Sequence, residues 1–322
     1  MEKMAVTGGA GFIGSNLVEF LLAKDYGVVV VDNFSTGRQA NLDGLSSNAA
    51  GQLEVLHADV NETPKMCEAF QNCRYVFHLA ANPSVQSSVI DPQSTHHSNI
   101  NGTLSVLLAA RDAGVKRVVV ASSCAVYGDD PRLPKAESDK LKPLSPYALS
   151  KWVGEEYCRL FHILYGLETV CLRYFNVFGP RQDPKSEYAA VIPKFVTRLL
   201  CGMPPIVYGD GEQTRDFIYV ANILAANWKA ATHPGVAGEV FNVGWGSQTS
   251  LNQLIQVLNQ ILGTDFEPNY QPGRSGEVRH SVADVNRMRE LLHYSPEITL
   301  EEGLRRVLDW YRTKLESLHG TA

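Results

Sequence analysis

Excess positive charge is absent from this 322-residue chain: 29 lysines and arginines face 34 aspartates and glutamates, a formal charge of -5. No basic balance therefore favours nucleic acid or an anionic membrane surface as a partner. Long hydrophobic runs are missing too. The longest apolar stretches, such as Val28-Val29-Val30-Val31, fall far short of the ~20 residues a membrane-spanning helix needs. A strand is expected as early as Lys3, which leaves no room for a signal peptide. A soluble, cytoplasmic protein is expected. The six cysteines (Cys67, Cys73, Cys124, Cys158, Cys171 and Cys201) form no Cys-x-x-Cys pair and no Cys/His ligand spacing. Buried or inert thiols are the expectation. Nothing near His96-His97 completes a metal site, so no metal is expected.

Hydrophobic residues make up 44% and charged residues 20%, an ordinary globular balance. The length suits about two domains of roughly 150 residues each. Short valine-rich runs alternate with longer helical patterns through the first half. Strands are expected at 4–6, 28–32, 53–57, 75–79, 117–122 and 169–174, and helices at 12–24, 63–70, 93–112 and 147–165. Unbroken apolar strands are buried on both faces, as in a parallel sheet covered by helices. The alternation predicts an α/β fold of Rossmann type, a doubly wound parallel sheet binding ligands at the carboxyl ends of its strands. After Phe175 the rhythm changes. Pro180, Pro184, Pro193 and Pro204-Pro205 interrupt it, so loops and short elements are expected to dominate. Stretches 217–220 and 239–243 look like strands returning to the main sheet, while 250–262 and 300–314 read as helices. The expected division is a nucleotide-binding domain of 1–176 plus roughly 217–245, and a smaller, discontinuous C-terminal substrate domain of 177–216 and 246–322.

The first strand ends in Thr7-Gly8-Gly9-Ala10-Gly11-Phe12-Ile13-Gly14, and a helix follows directly. Glycines let the backbone turn sharply and let a pyrophosphate approach the helix N-terminus, whose unpaired N–H groups and dipole attract anions. Gly9, Gly11 and Gly14 fit the general dinucleotide spacing; Gly8, Gly11 and Gly14 fit a related one. Such turns also serve packing alone, so position matters. This one lies at the first strand–helix junction, and Asp32 closes the second strand 18 residues after Gly14. A carboxylate there accepts hydrogen bonds from ribose hydroxyls and repels a 2′-phosphate, which favours NAD over NADP. Arg38 could pair with such a phosphate, but Asp32 is the better-placed group. Asp59 suits either the adenine edge or a strand-end turn. Ala80-Ala81 supply small side chains where a cofactor must pass close to the backbone.

Tyr147 and Lys151 open a helix that Pro146 can initiate. Residues four apart share a helical face, so phenol and ammonium project together. A free tyrosine, with a pKa near 10, is a poor base at neutral pH. A neighbouring cation and an oxidised nicotinamide would stabilise the phenolate. Reaching a pKa of about 7 takes roughly 4 kcal/mol of differential stabilisation. Tyr-x-x-x-Lys pairs also occur on plain surfaces. Ser123, at the carboxyl end of the fifth strand, argues for chemistry because its hydroxyl can meet the same substrate oxygen.

Together, Thr7–Gly14, Ser122-Ser123, Tyr147–Lys151 and Leu172-Arg173-Tyr174-Phe175-Asn176 resemble the extended short-chain dehydrogenase/reductase family. Within it the chain is similar, along nearly its whole length, to the nucleotide-sugar 4-epimerases. The resemblance implies that Ser123, Tyr147 and Lys151 are catalytic. It implies NAD contacts at Gly8, Gly11, Phe12, Ile13, Gly14, Asp32, Asn33, Asp59, Val60, Leu79, Ala80, Ala81, Asn99 and Tyr174, besides Tyr147 and Lys151. Dehydratases of the family carry Asp-Glu after the serine, and decarboxylases keep a Glu. Here the two residues are Cys124 and Ala125, so neither can protonate a leaving group and epimerisation remains. The implied mechanism has Tyr147 take the O4 proton while NAD takes the C4 hydride. Ser123 holds O4, and a 4-keto sugar turns over before reduction on its other face.

The resemblance also implies a nucleotide-sugar site of Ser84, Ser123, Tyr147, Asn176, Arg215, Arg274, Glu277 and Ser281. Asn176, Arg215 and Arg274 would hold the diphosphate, where guanidinium forks suit phosphate oxygens, and Glu277 the ribose. Surface ion pairs of the arginines with Asp210, Asp216 or Glu277 are the alternative. The stretches around 174–184, 188–193 and 274–284 most resemble bacterial UDP-N-acetylglucosamine 4-epimerases. Ser281 falls where members restricted to plain hexoses tend to carry tyrosine, so it leaves room for a 2-acetamido group; otherwise it is simply a polar strand residue. UDP-glucose and UDP-galactose are then expected to be poorer substrates. UDP-glucuronate 4-epimerases share every catalytic residue named, and a non-catalytic NAD-binding regulator is the alternative from another class. A homodimer through helices 93–112 and 147–165 is implied, although their apolar faces would suit an intramolecular core equally.

Overall fold

The computed structural model describes residues 1–48, 52–184, 191–273 and 278–319. Seven parallel strands form the central sheet: β1 (Lys3–Thr7), β2 (Gly27–Asp32), β3 (Leu53–His57), β4 (Cys73–His78), β5 (Arg117–Ser123), β6 (Glu168–Tyr174) and, much later in the chain, Val240–Val243. Between the last two come β7 (Asn176–Phe178), β8 (Ile206–Tyr208), β9 (Thr214–Arg215) and β10 (Phe217–Tyr219), which makes Val240–Val243 strand β11. The spatial order is β11-β6-β5-β4-β1-β2-β3. The order reverses between β1 and β4, so a crevice opens there at the carboxyl ends of the strands. β2, Gly-Val-Val-Val-Val-Asp, is buried at every position, because helices cover both faces and each valine finds a core. β3 closes the edge and is largely exposed.

The helix Pro146–Tyr165 carries the Tyr-x-x-x-Lys pair. Ser145 caps it by accepting the Ala148 N–H at 3.1 Å, Pro146 occupies the first turn, and left-handed Gly166 ends it. Its neighbour differs from the sequence expectation. In place of one helix over 93–112, a short turn at Pro92–Thr95 runs through a π-helical segment, His96–Asn101, into Gly102–Asp112. A π-turn inserts one residue into the ladder, and hydrophobic spacing is too coarse to register it.

The second half holds more helix than its prolines suggested. Val191–Leu200, Val220–Thr232 and Asn286–Leu291 are helical, none of them anticipated, while Leu251–Leu262 and Leu300–His319 were. Only part of the strand expectation there holds. Val240–Val243 joins the sheet beside β6, whereas Phe217–Tyr219 pairs with β7, Asn176 opposite Phe217, outside the main sheet. Both segments are apolar and short, so only partner geometry distinguishes them. Among the described residues no helix is long and apolar enough to cross a membrane.

Candidate active site

Gly8 leaves β1 with φ at +71°, a region L side chains rarely adopt. A Cβ on Gly8 would lie 2.6 Å from the Ala80 nitrogen, and one on Gly14 would lie 2.1 Å from the Gly8 carbonyl oxygen. Only glycine fits either place. The turn is held by Gly8 N–H donating to Val31 O (2.8 Å) and Gly11 N–H to Gly8 O (3.1 Å). The helix Phe12–Leu22 that follows has no side-chain cap and no acid in its first turn, so its N-terminal charge stays available to an anion. Phe12 and Ile13 are half-buried there.

At the tip of β2 the buried Asp32 carboxylate accepts Ala10 N–H (2.9 Å) on one oxygen and Phe34 N–H (2.8 Å) on the other. Each oxygen keeps a lone pair for a hydroxyl. Arg38 is ion-paired with Asp183, so this cation has a carboxylate of its own. Asn33 donates to Asp59 (2.8 Å), which also accepts Asn61 N–H (2.9 Å) and Asn61 Nδ2 (2.7 Å). Burial works against the Asp59 charge, but these bonds outweigh it and hold the carboxyl below its usual range. Val60 is buried beside Gly102, and Leu79, Ala80 and Ala81 line the exit from β4 half-buried. A glycine-only turn, an uncapped helix start and a carboxylate ready for a diol fit a dinucleotide whose 2′-hydroxyl is free. The residues present fit NAD.

Across the crevice, Ser123 ends β5 and its Oγ accepts the Ala125 N–H at 3.2 Å. The Tyr147 phenol lies near enough to Ser123 for the hydroxyl to favour its ionised form. Lys151 Nζ donates to the Ala121 carbonyl at 2.9 Å and lies 5.8 Å from the centroid of the Tyr147 ring. The three side chains singled out from sequence therefore lie together at the end of β5. Their electrostatics differ from expectation. Burial pushes the phenol up to about 12, only partly opposed by the Ser123 hydroxyl. Burial also pushes the Lys151 ammonium down to about 8, against the raising effect of Cys171 and Glu155. Desolvation of the phenol thus outweighs the help it has from Ser123.

Several implied residues brace the site from behind. Asn99 is buried; its amide accepts Asn82 N–H (2.7 Å) and donates to Asn82 O (3.1 Å) and Ser150 Oγ (2.9 Å). Tyr174 directs its hydroxyl to Asn227 Oδ1 (2.9 Å). Ser84 caps the helix Val85–Ile90 by accepting Ser87 N–H at 2.9 Å. One brace was missed by sequence reasoning. Glu155, one turn beyond Lys151, accepts Ser122 Oγ (2.5 Å), Arg173 Nε (2.9 Å) and Arg173 Nη2 (2.7 Å), all within the core. Arg173 continues to the Tyr127 hydroxyl at 2.8 Å, and Tyr127 donates to Asn242 Oδ1 at 2.6 Å. The spacing Tyr147, Lys151, Glu155 marks one helix face, which was the available signal.

Of the implied nucleotide-sugar residues, Asn176, Arg215 and Ser281 lie on segments joined by backbone hydrogen bonds, Asn176 N–H to Asp216 O and Ser281 N–H to Thr214 O. Asn176 opens β7 with its N–H on Asp216 O at 3.0 Å. Arg215, half-buried in β9, donates to Thr214 O (2.9 Å) and Arg279 O (3.1 Å). Ser281 lies near enough to Cys124, the residue after Ser123, for its hydroxyl to favour the thiolate, and the charges of Asp216 and Arg215 act on that thiol as well. Burial drives Cys124 up to about 11, so it stays a neutral thiol. Arg274 and Glu277 lie outside the described residues.

A nucleotide-binding Rossmann fold bearing a serine–tyrosine–lysine cluster defines a class of NAD-dependent enzymes, and residues 4–244 match the model of the NAD dependent epimerase/dehydratase family. The chain belongs to that family. A putative UDP-glucose 4-epimerase of Methanocaldococcus jannaschii is 40% identical over 95% of this chain and 97% of its own. The UDP-N-acetylglucosamine 4-epimerase from Methanobrevibacter ruminantium, solved with UDP-N-acetylmuramic acid, superposes with a TM-score of 0.92 at 40% identity, covering 97% of this chain and 99% of that one. The UDP-glucuronic acid 4-epimerase of Bacillus cereus, solved with UDP-glucuronic acid and NAD, gives 0.88 at 32% identity with coverage of 97% and 99%. Proteins named for three different sugars all align along nearly the whole chain, so overall likeness does not choose among them.

Proposed function

We propose that this protein, an NAD-dependent UDP-sugar 4-epimerase, acts best on the acetamido pair UDP-N-acetylglucosamine and UDP-N-acetylgalactosamine. UDP-glucose and UDP-galactose are poorer substrates. One observation carries the preference: Ser281 sits against Cys124 beside the Ser123–Tyr147 pair. Two small side chains there leave volume where a tyrosine ring would collide with a 2-acetamido group.

The proposed roles follow from the geometry. Bound NAD supplies the reversible oxidation of C4 to a 4-keto sugar and, while oxidised, a positive charge near the phenol. Tyr147 takes the O4 proton and returns it, with Ser123 sharing the hydrogen bond to that oxygen. Lys151, anchored on Ala121 O, keeps a positive charge beside the ring. Asn176 and Arg215 hold the diphosphate, so the nucleotide is gripped while the hexose is free to turn over. Cys124 and Ala125 offer no acid to expel a hydroxyl, which favours epimerisation over elimination.

A second copy of the chain is the proposed partner. The helix Pro146–Tyr165 leaves Leu149, Ile163, Leu164 and Tyr165 exposed, and Val89 and Ile90 continue that apolar area. Large apolar side chains exposed on two helices that pack together are a usual mark of an interaction surface.

The test is to incubate purified protein with UDP-glucose, UDP-galactose, UDP-glucuronate and both acetamido sugars, without adding NAD, and to separate the products. The acetamido pair should interconvert fastest, with no net NADH. Faster turnover of the glucuronate or the plain hexoses would overturn the specificity, and no 4-epimer at all would overturn the activity.

A further inference from the structure

Asp216 has no role in the chemistry above, yet it is completely buried. Its carboxylate accepts three backbone N–H groups: Trp245 on Oδ1 at 2.7 Å, and Gly246 and Ala283 on Oδ2, each at 3.0 Å. Its backbone carbonyl takes a fourth, from Asn176 at 3.0 Å. The four donors come from three separate stretches: the start of β7, the turn after β11, and the segment two residues past Ser281. Arg215 is the adjacent residue. A buried carboxylate is costly unless its lone pairs are filled, and here burial pushes Asp216 up to about 6 against those bonds. Asparagine could not replace it, because one of its two polar atoms donates and would meet an N–H. Gly244 leaves the room: a Cβ there would stand 2.6 Å from Asp216 Oδ2.

We infer that Asp216 is the positioning residue of the substrate half, setting Arg215, Asn176 and Ser281 in register so that diphosphate and hexose are gripped together. The inference rests on the sugar-nucleotide assignment above. It needs no contact between Asp216 and substrate. Loss of the carboxylate lets three segments drift while the cradle at β1 and the tyrosine helix stay intact.

The experiment compares wild-type protein with Asp216→Asn and Gly244→Ala, which keeps the charge but displaces the carboxylate. UDP binding by calorimetry, KM and kcat for the preferred UDP-sugar, retained NAD and the melting temperature are measured for each. Both variants should lose about tenfold to a hundredfold in UDP affinity and show KM raised by a similar factor, in line with orphaned buried hydrogen-bonding groups. The fall in kcat should be much smaller, with NAD content unchanged. The preference for acetamido over plain hexose should shrink too, since Ser281 moves. Unaltered UDP affinity in a folded variant overturns the inference, as does NAD loss in parallel with UDP affinity. If Asp216→Asn does not fold, Gly244→Ala decides. A wild-type protein that neither binds UDP nor epimerises ends both this inference and the assignment beneath it, whereas an active wild type with silent variants ends this one alone.

Discussion

Lys151 holds its Nζ 5.8 Å from the centre of the Tyr147 ring while donating to the Ala121 carbonyl, and the phenol lies near Ser123. Cation and phenol are neighbours without being partners. The lysine is anchored to the end of β5, so its position is fixed, but its hydrogen bond goes to the backbone. Burial then decides the resting state: a protonated phenol and a lysine easier to deprotonate than usual.

Removal of the phenolic oxygen is the first check. Tyr147→Phe should lower turnover about 10²- to 10⁴-fold, the usual range for a lost general acid–base group. NAD released on denaturation should stay equimolar with protein. Turnover close to wild type would remove Tyr147 from the proton transfer.

Dependence on pH follows from Lys151. Its charged form is the useful one, and burial sets its deprotonation at about 8, so kcat should decline as pH rises through that value. The Glu155 charge raises the Lys151 pKa; Glu155→Gln removes it, and the alkaline limb should move to lower pH. A limb that stays in place, or moves upward, would separate Glu155 from the lysine's titration. Arg173→Met in the same chain relieves the arginine left unpaired and should restore part of the lost melting temperature.

Sugar choice turns on one side chain. Ser281→Tyr should cut kcat/KM for the acetamido pair by about 10²-fold, the scale of a steric exclusion in a fitted pocket. UDP-glucose and UDP-galactose should change little. Equal losses for all four sugars would mean that Ser281 shapes no part of the hexose pocket.

The cradle at β1 permits a stability test. In Gly14→Ala the new methyl would meet the Gly8 carbonyl oxygen at 2.1 Å, and overpacking of this kind costs about 1–3 kcal/mol. The variant should purify without NAD and melt earlier. Retained cofactor would mean the turn is looser than its contacts indicate.

Association is checked by charge. Ile163→Asp, at a position 61% exposed, should turn a sedimenting dimer into monomer with NAD content preserved. If the wild-type protein sediments as a monomer, the apolar patch has another occupant.

Local spacing made the first half of the molecule legible. The glycine turn, Asp32 at the tip of β2 and the Tyr147/Lys151 pair each depend on residues close in sequence, where helix and strand periods dictate direction. Ser123 could be placed because a buried parallel strand delivers its last residue to the ligand edge. The second half resisted because its order is not periodic. Helix Val220–Thr232 follows β10 without a side-chain cap, and β10 itself chose β7 over the central sheet. Arg38 and Asp183, 145 residues apart, are joined by packing that no spacing rule encodes.

Sequence alone determined which functional groups exist and which face of which element carries them, since those follow from covalent order and backbone period. Tertiary structure alone decided their ionisation and their company. Desolvation depends on what packs around a group, so only the fold could turn Tyr147 into a weaker acid than free tyrosine. Only the fold, likewise, could gather Trp245, Gly246 and Ala283 around one buried carboxylate and bring Asn176 to the backbone carbonyl of the same residue.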